Sequence, residues 1–347
     1  MNKLSVIIPC LNAEDTIDRC LESLERQTIG MENLDIIAID DCSDDNTAYR
    51  LREWRQKHKN IRTFTSKKWS LPGRIRNDAL DMARGKYIAF LDSDDWLDPD
   101  ALEKIYNIAG EYGAEIVCFQ YRACYDTCII DYTQGGRDGF LNTGSTEEEK
   151  INFYRKAGIR RCCWDKVYKR EFVNNNRLRF AEGVIEEESL FTIPALIHAP
   201  SVYATHESLY NYFQNPKGCT NASVGNKTYS RDNEIVWMQV YERMREDGSL
   251  VTSHELAEWF FVINYYFYSL DLAEARQCPY SKAEKKKLSE TVKRLFPDYM
   301  NNKALKATGY DLGRIGGDDD RYNSGSDHDN HMLNCGVYQH YQKKRQR

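Results

Sequence analysis

The sequence predicts an α/β fold, with a mostly parallel, doubly wound sheet carrying helices on both faces and a C-terminal α-helical appendage. Three observations point to it. Short β-branched runs alternate with helical patterns over the first 125 residues, polar clusters close three of those runs, and from residue 227 onward the pattern is helical alone.

The predicted strands are SVIIP at 5–9, IIAID at 36–40, IRTFTS at 61–66, YIAFLD at 87–92 and EIVCFQY at 115–121. Between the first two, Ile17, Cys20, Leu21 and Leu24 recur at helical spacing, with Asp15 or Thr16 placed to cap the helix start. Similar helical patterns run over 46–58, 74–84 and 99–112, the last opening at Pro99 in the favoured first-turn position. Residues 126–150 hold Gly135, Gly136, Gly139 and Gly144 and are expected as a long surface connection. Helices follow at 227–246, 254–275 and 281–296, and the Gly, Asp and Asn-rich stretch from 310 is expected as a flexible tail. The chain thus divides into an α/β unit over 1–215, a helical region over 216–309 and a tail over 310–347.

At 347 residues with 41% hydrophobic and 29% charged residues, the chain can bury a sizeable core and is not disordered throughout. A net charge of -5, with Lys and Arg scattered, excludes the electrostatic footprint of a dedicated nucleic-acid binder. The apolar run from Leu4 to Pro9 is too short for a signal-peptide core, so a cytoplasmic location is expected. The 11 cysteines are odd in number and several sit in apolar segments; they read as reduced thiols, without the paired spacing of a zinc site.

Ligands of doubly wound sheets bind beyond the carboxyl ends of the strands. The polar clusters stand there: Pro9-Cys10-Leu11-Asn12, Asp40-Asp41-Cys42-Ser43-Asp44 and Asp92-Ser93-Asp94-Asp95. Three carboxylates in four residues repel one another unless a cation lies between them, and carboxylate-only ligands favour Mg²⁺ or Mn²⁺. The alternative on local sequence is a solvated turn capping the helix that follows, and Asp40 and Asp41 have the same alternative.

Four stretches together resemble a family 2 glycosyltransferase of the GT-A fold: SVIIPCLNAEDTIDRCLESLERQT, IIAIDDCSDDNT, RIRNDALDMARGKYIAFLDSDD and WDKVYKREFVNNNRLRFAEGVIEEESLF. The resemblance covers residues 3–215 and makes 1–215 the catalytic domain. It implies that Pro9, Asn12 and Glu14 line a nucleotide pocket, that Asp41, with Asp40, accepts a hydrogen bond from the base, and that Arg76 helps hold the nucleotide. Asp92 and Asp94 form the family's Asp-x-Asp pair, with Asp94 the direct metal ligand, Asp92 and Ser93 beside the donor, and Asp95 reaching towards sugar hydroxyls. Two departures stand out. Leu11 replaces an aromatic that can stack on the base, so stacking must come from elsewhere. Counting from Phe180 through Gly183 to Phe191 puts Glu187 on the family's Glu and Glu188 on its Asp, which makes Glu188 the general base with one extra methylene.

Trp164 and Lys166 fall where the family's acceptor side packs, although a buried Trp for core packing reads equally well. Seven of the ten residues from Trp259 to Tyr268 are aromatic, which means a buried helix or an interfacial one; acidic flanks favour burial. Asp327-His328-Asp329-Asn330-His331 reads as solvated tail rather than a metal site. The resemblance implies a metal-dependent, inverting hexosyl- or N-acetylhexosaminyl-transferase that moves a sugar from a nucleotide-diphosphate donor, a UDP-sugar, to a glycan or lipid-linked acceptor. Peripheral membrane contact and homo-oligomerisation stay open. The competing reading is a non-catalytic nucleotide-sugar or glycan-binding protein on the same fold.

Overall fold

The computed structural model describes residues 2–131, 138–216, 218 and 225–315. Strands β1 (Leu4–Cys10) and β2 (Leu34–Asp40) run parallel, β3 (Ile61–Thr65) adds outside β2, and β4 (Tyr87–Phe90) adds on the other side of β1. All seven residues of β2 are buried, as a strand covered on both faces requires. Helix α1 (Ile17–Glu25) buries Ile17, Cys20, Leu21 and Leu24, the stripe its spacing predicts. Helices α2 (Thr47–Lys57) and α3 (Pro72–Met82) follow β2 and β3. Gly85 turns the chain into β4 where the backbone passes against β1: a Cβ there would lie 2.2 Å from the Ser5 nitrogen.

Past β4 the sheet becomes mixed. The two-residue β5 (Trp96–Leu97), helix α4 (Ala101–Tyr112) and the long β6 (Ile116–Cys124) come next in the chain. β7 (Ile129–Asp131) and β8 (Gly139–Leu141) are short additions beside β6 and the later β10. Helix α5 (Glu147–Lys156) precedes β9 (Lys166–Lys169), which lies antiparallel between β4 and β6. Helices α6 (Arg170–Asn175) and α7 (Glu188–His198) lead to β10 (Val202–Phe213), parallel to β6 and edged by β5, for a spatial order β3-β2-β1-β4-β9-β6-β10-β5.

Three expectations are corrected here. Residues 126–150 are not a plain connection: they contain β7 and β8, and α5 begins within them under a capping box in which Thr146 and Glu149 satisfy each other's backbone N–H. Pro99 stands before α4, with Asp100 in the cap position, and its carbonyl accepts from the Thr28 N–H. Residues 310–315 are packed and not part of a tail: Tyr310 stacks on Phe267 at 4.3 Å while Leu312 and Ile315 are buried. Residues 316–347, with the Asp327–His331 stretch, lie outside the described residues.

The C-terminal region comprises α8 (Thr228–Glu246), the short α9 (Ser249–Thr252), α10 (His254–Phe261), a π-helical turn over Val262–Phe267, α11 (Tyr268–Ala275) and α12 (Lys282–Leu295). All ten residues from Trp259 to Tyr268 are buried within this chain, so the aromatic run is core rather than a lipid-facing surface. No helix among the described residues is long and apolar enough to cross a membrane. The nine described cysteines are all free thiols.

Candidate active site

A cleft of about 620 Å³ opens beyond the carboxyl ends of β1, β2 and β4, where the strand-end rule places it. Two non-glycine residues in its lining have left-handed backbone, Asn12 (φ 48°) and Leu71 (φ 71°), as has Cys42 (φ 61°) in the loop after β2. Such conformations cost on the order of 1–3 kcal/mol each and persist only when surrounding bonds hold them. Asn12 is held by its N–H donating to Ser43 Oγ (2.9 Å) and its Oδ1 accepting from the Asp44 N–H (2.9 Å), which joins the β1 and β2 loops.

Pro9, Asn12, Asp41, Arg76, Asp92, Ser93, Asp94, Trp164, Glu187 and Glu188 all line the cleft. Four other candidates do not. Glu14 accepts from the Asn46 backbone (3.0 Å) and side chain (2.8 Å), fastening the start of α2. Asp40 is buried and accepts from the Ser43 N–H at 3.4 Å beneath the loop. Asp95 is fully buried and accepts from Tyr210 Oη (2.5 Å) and the Phe213 N–H (2.7 Å), tying the acidic run to β10 instead of reaching for hydroxyls. Lys166 is also fully buried; its Nζ donates to the carbonyls of Arg160 (2.6 Å) and Cys162 (2.8 Å) and to Asp165 (2.5 Å), so it holds the loop before β9 and not an acceptor. In each case a carboxylate or ammonium taken for ligand chemistry satisfies backbone groups that a tight strand end leaves over.

In the acidic run, Asp94 Oδ2 accepts from Asn215 Nδ2 at 3.1 Å, and burial followed by the Asp92 charge pushes its carboxyl above the ordinary value. Among the described residues no group of three or more His, Cys, Asp or Glu side chains is gathered as a ligand set. Asp92 and Asp94 both line the cleft, and two carboxylates are a donor set that suits a hard ion such as Mg²⁺, which commonly takes its other oxygens from substrate phosphates and water.

Arg76 is buried between two carboxylates, donating from Nη2 to Asp92 (2.7 Å) and from Nη1 to Glu187. Glu187 precedes α7 and Glu188 is its first residue. Glu188 Oε1 accepts from the Cys163 N–H at 3.0 Å. Burial raises both carboxyls against the pull of Arg76, Glu187 to about 8. The Phe-x-x-Gly lead-in now has a physical reason. Phe180 and Phe191 stack at 4.4 Å and bracket the acidic run, while Gly183 takes φ 76° to turn the chain between them. Gly73 of α3 lies so near this segment that a Cβ would sit 2.0 Å from the Ala181 carbonyl oxygen.

Trp164 is 4% exposed, stacked on Tyr210 at 4.6 Å and Tyr212 at 5.5 Å, and forms one wall. Sequence reasoning missed the opposite wall. Arg161 pairs with Glu186 at 2.6 Å and lies 3.8 Å over the Tyr268 ring, while Arg276 lies 4.4 Å over Tyr229. No local motif marks these residues, since Tyr229, Tyr268 and Arg276 reach the cleft only through the docking of the C-terminal helices. Trp69 was missed too, although an isolated Trp in the polar stretch SKKWS was a usable signal.

Residues 5–173 match the profile of Glycosyl transferase family 2. EpsH of Bacillus subtilis is 31% identical over 60% of either chain, and a poly(ribitol-phosphate) beta-glucosyltransferase of Bacillus spizizenii is 30% identical over 60% of this chain and 32% of its own. The chain thus spans less than two thirds of the length of these relatives. In fold it is similar to a crystal structure of Staphylococcus aureus TarS residues 1–349 in complex with UDP-GlcNAc, with a TM-score of 0.72 and 18% identity, covering 99% of this chain and 92% of that one. Residues 5–173 of this chain thus belong to glycosyl transferase family 2, and the fold that carries them is the GT-A fold.

Proposed function

We propose that the protein transfers a sugar, with inversion, from a UDP-sugar to a hydroxyl of a cell-surface glycan, polysaccharide or glycolipid. The observation that carries this reading is the placement of Asp92 and Asp94 in one cleft with the buried Glu187–Glu188 pair, with Arg76 bonded to both sides. A divalent ion bound at Asp92 and Asp94 supplies neutralisation of the charge that builds on the departing diphosphate. In the reading, Glu188 takes the proton from the acceptor hydroxyl as its oxygen bonds to the anomeric carbon. The bond from that carbon to the phosphate oxygen breaks, and UDP leaves with the electron pair. A carboxyl raised by burial is the better proton acceptor near neutrality. Glu188 is held by the Cys163 N–H, which fixes the carboxylate in spite of its extra methylene. In the same reading the acceptor lies along Arg161, Tyr229, Tyr268 and Arg276, which line the cleft as well.

The test is release of UDP from a panel of UDP-sugars with Mn²⁺ and glycan acceptors. Glu188→Gln is expected to lower turnover by about 10²–10⁴-fold with UDP binding retained, and Glu188→Asp to keep activity. Asp94→Asn should abolish the metal-dependent part of UDP binding. Parent-level turnover by Glu188→Gln overturns the assignment of the base, and undiminished turnover in excess chelator overturns the metal.

A further inference from the structure

Trp69 is 58% exposed, and it stands on the cleft wall with Pro9, Leu11, Asn12 and Asp41. An indole left in water at a cleft rim forfeits the burial that usually places a tryptophan, so its position calls for a cause. The cause lies in the segment that carries it. The Asp41 carboxylate accepts three hydrogen bonds from the next two residues: from the Ser70 N–H (3.0 Å), Ser70 Oγ (3.1 Å) and the Leu71 N–H (3.0 Å). Upstream, the Ser66 N–H donates to the Asp40 carbonyl (2.8 Å), and Cys42 Sγ donates to the Ser66 carbonyl (3.2 Å). Leu71 is held at φ 71° and ψ 159°, a region few residues other than glycine adopt. Five bonds to the β2 end and one strained leucine therefore fix a loop whose product is an indole at the cleft.

The same cleft lacks an aromatic at the end of β1, where Leu11 stands 38% exposed. An aliphatic side chain offers contact but no π face. We propose that Trp69 is the platform on which the base of the nucleotide donor stacks. Asp41 acts on the base through Trp69, as a positioning residue whose carboxylate is engaged by the loop it holds. The inference deepens the donor reading above and rests on it. Every base has a π face, so a stacking platform holds nucleosides with little regard to their hydrogen-bonding edge.

The experiment titrates the full chain with UDP and with GDP in Mg²⁺, by calorimetry and by indole emission. UDP should quench the parent's emission. Trp69→Ala should bind UDP about 5- to 100-fold more weakly with an unchanged melting temperature, since the ring is exposed, and Trp69→Phe should recover most of the affinity without the quench. Asp41→Asn should weaken UDP less than Trp69→Ala, and little further when combined with it. UDP binding by Trp69→Ala at the parent's affinity overturns the proposal while leaving the donor reading intact. A parent that binds neither nucleotide overturns both.

Discussion

Arg76 is 4% exposed and bonded to the half-buried Asp92 on one side and the buried Glu187 on the other, so its charge is what allows the two carboxylates to stand together at the cleft. Removing one partner of a buried ion pair leaves the other charge uncompensated, and Arg76 has two such partners. Arg76→Gln is therefore expected to destabilise the protein by about 3–5 kcal/mol in urea denaturation. Arg76→Lys should cost less, because it keeps the charge but loses the fork that spans both carboxylates. A guanidinium that held the nucleotide directly would behave otherwise: Arg76→Gln would weaken UDP binding and leave stability near the parent's. At this scale much of the site is legible in the sequence, because Asp92, Asp94, Glu187 and Glu188 sit in short local runs. The fates of Asp95 and Lys166 are not: Asp95 is claimed by distant partners, Tyr210 and Phe213, and Lys166 by the fold of its own loop, whose carbonyls at Arg160 and Cys162 turn back onto it.

The aromatic stretch from α10 through the π turn into α11 is buried from Leu256 to Ala273, and two buried acids lie in it, Glu258 and Asp271. Asp271 is 3% exposed, its Oδ1 has no hydrogen-bond partner, and burial raises its carboxyl from 3.8 to about 7 despite the pull of Arg314. The folded state therefore holds this proton more tightly than the unfolded chain. Its contribution to stability is complete below about pH 4 and is lost as pH rises to about 7. Asp271→Asn removes that dependence, and is expected to gain about 1–3 kcal/mol at pH 8 while changing little at pH 4. Denaturant melts of both proteins across that range check it; a parent whose stability rises from pH 4 to 8 by the same amount as the variant's overturns it.

Across the whole molecule, buried apolar residues of the α/β sheet and the C-terminal helices form one continuous cluster, from Leu4 to Ile315. Helix α8 packs on α7 and α10 packs on α5, so the helices cover elements that belong to the N-terminal unit. The two regions are expected to unfold together, in one calorimetric transition. A chain ended at residue 215 would bare the α5 and α7 faces and should aggregate or be digested at protease levels the full chain resists. Two separated transitions, or a stable 1–215 fragment, would show that the regions fold independently.

The order of strands and helices through β6, the cleft at the strand ends and the register of Glu188 after Phe180 and Gly183 are determined by the sequence alone, because each rests on local periodicity or on spacing within one short segment. Tertiary structure decided the rest. The antiparallel β9 between β4 and β6 brings the Cys163 N–H to Glu188, a contact between residues 25 apart in the chain. Arg276 and Tyr268 become cleft residues only because α11 packs against α8, and Trp69 faces the cleft only because Asp41 grips the loop behind it. Pairings between distant segments leave no period and no spacing to read; they follow from which buried faces find each other when the core closes.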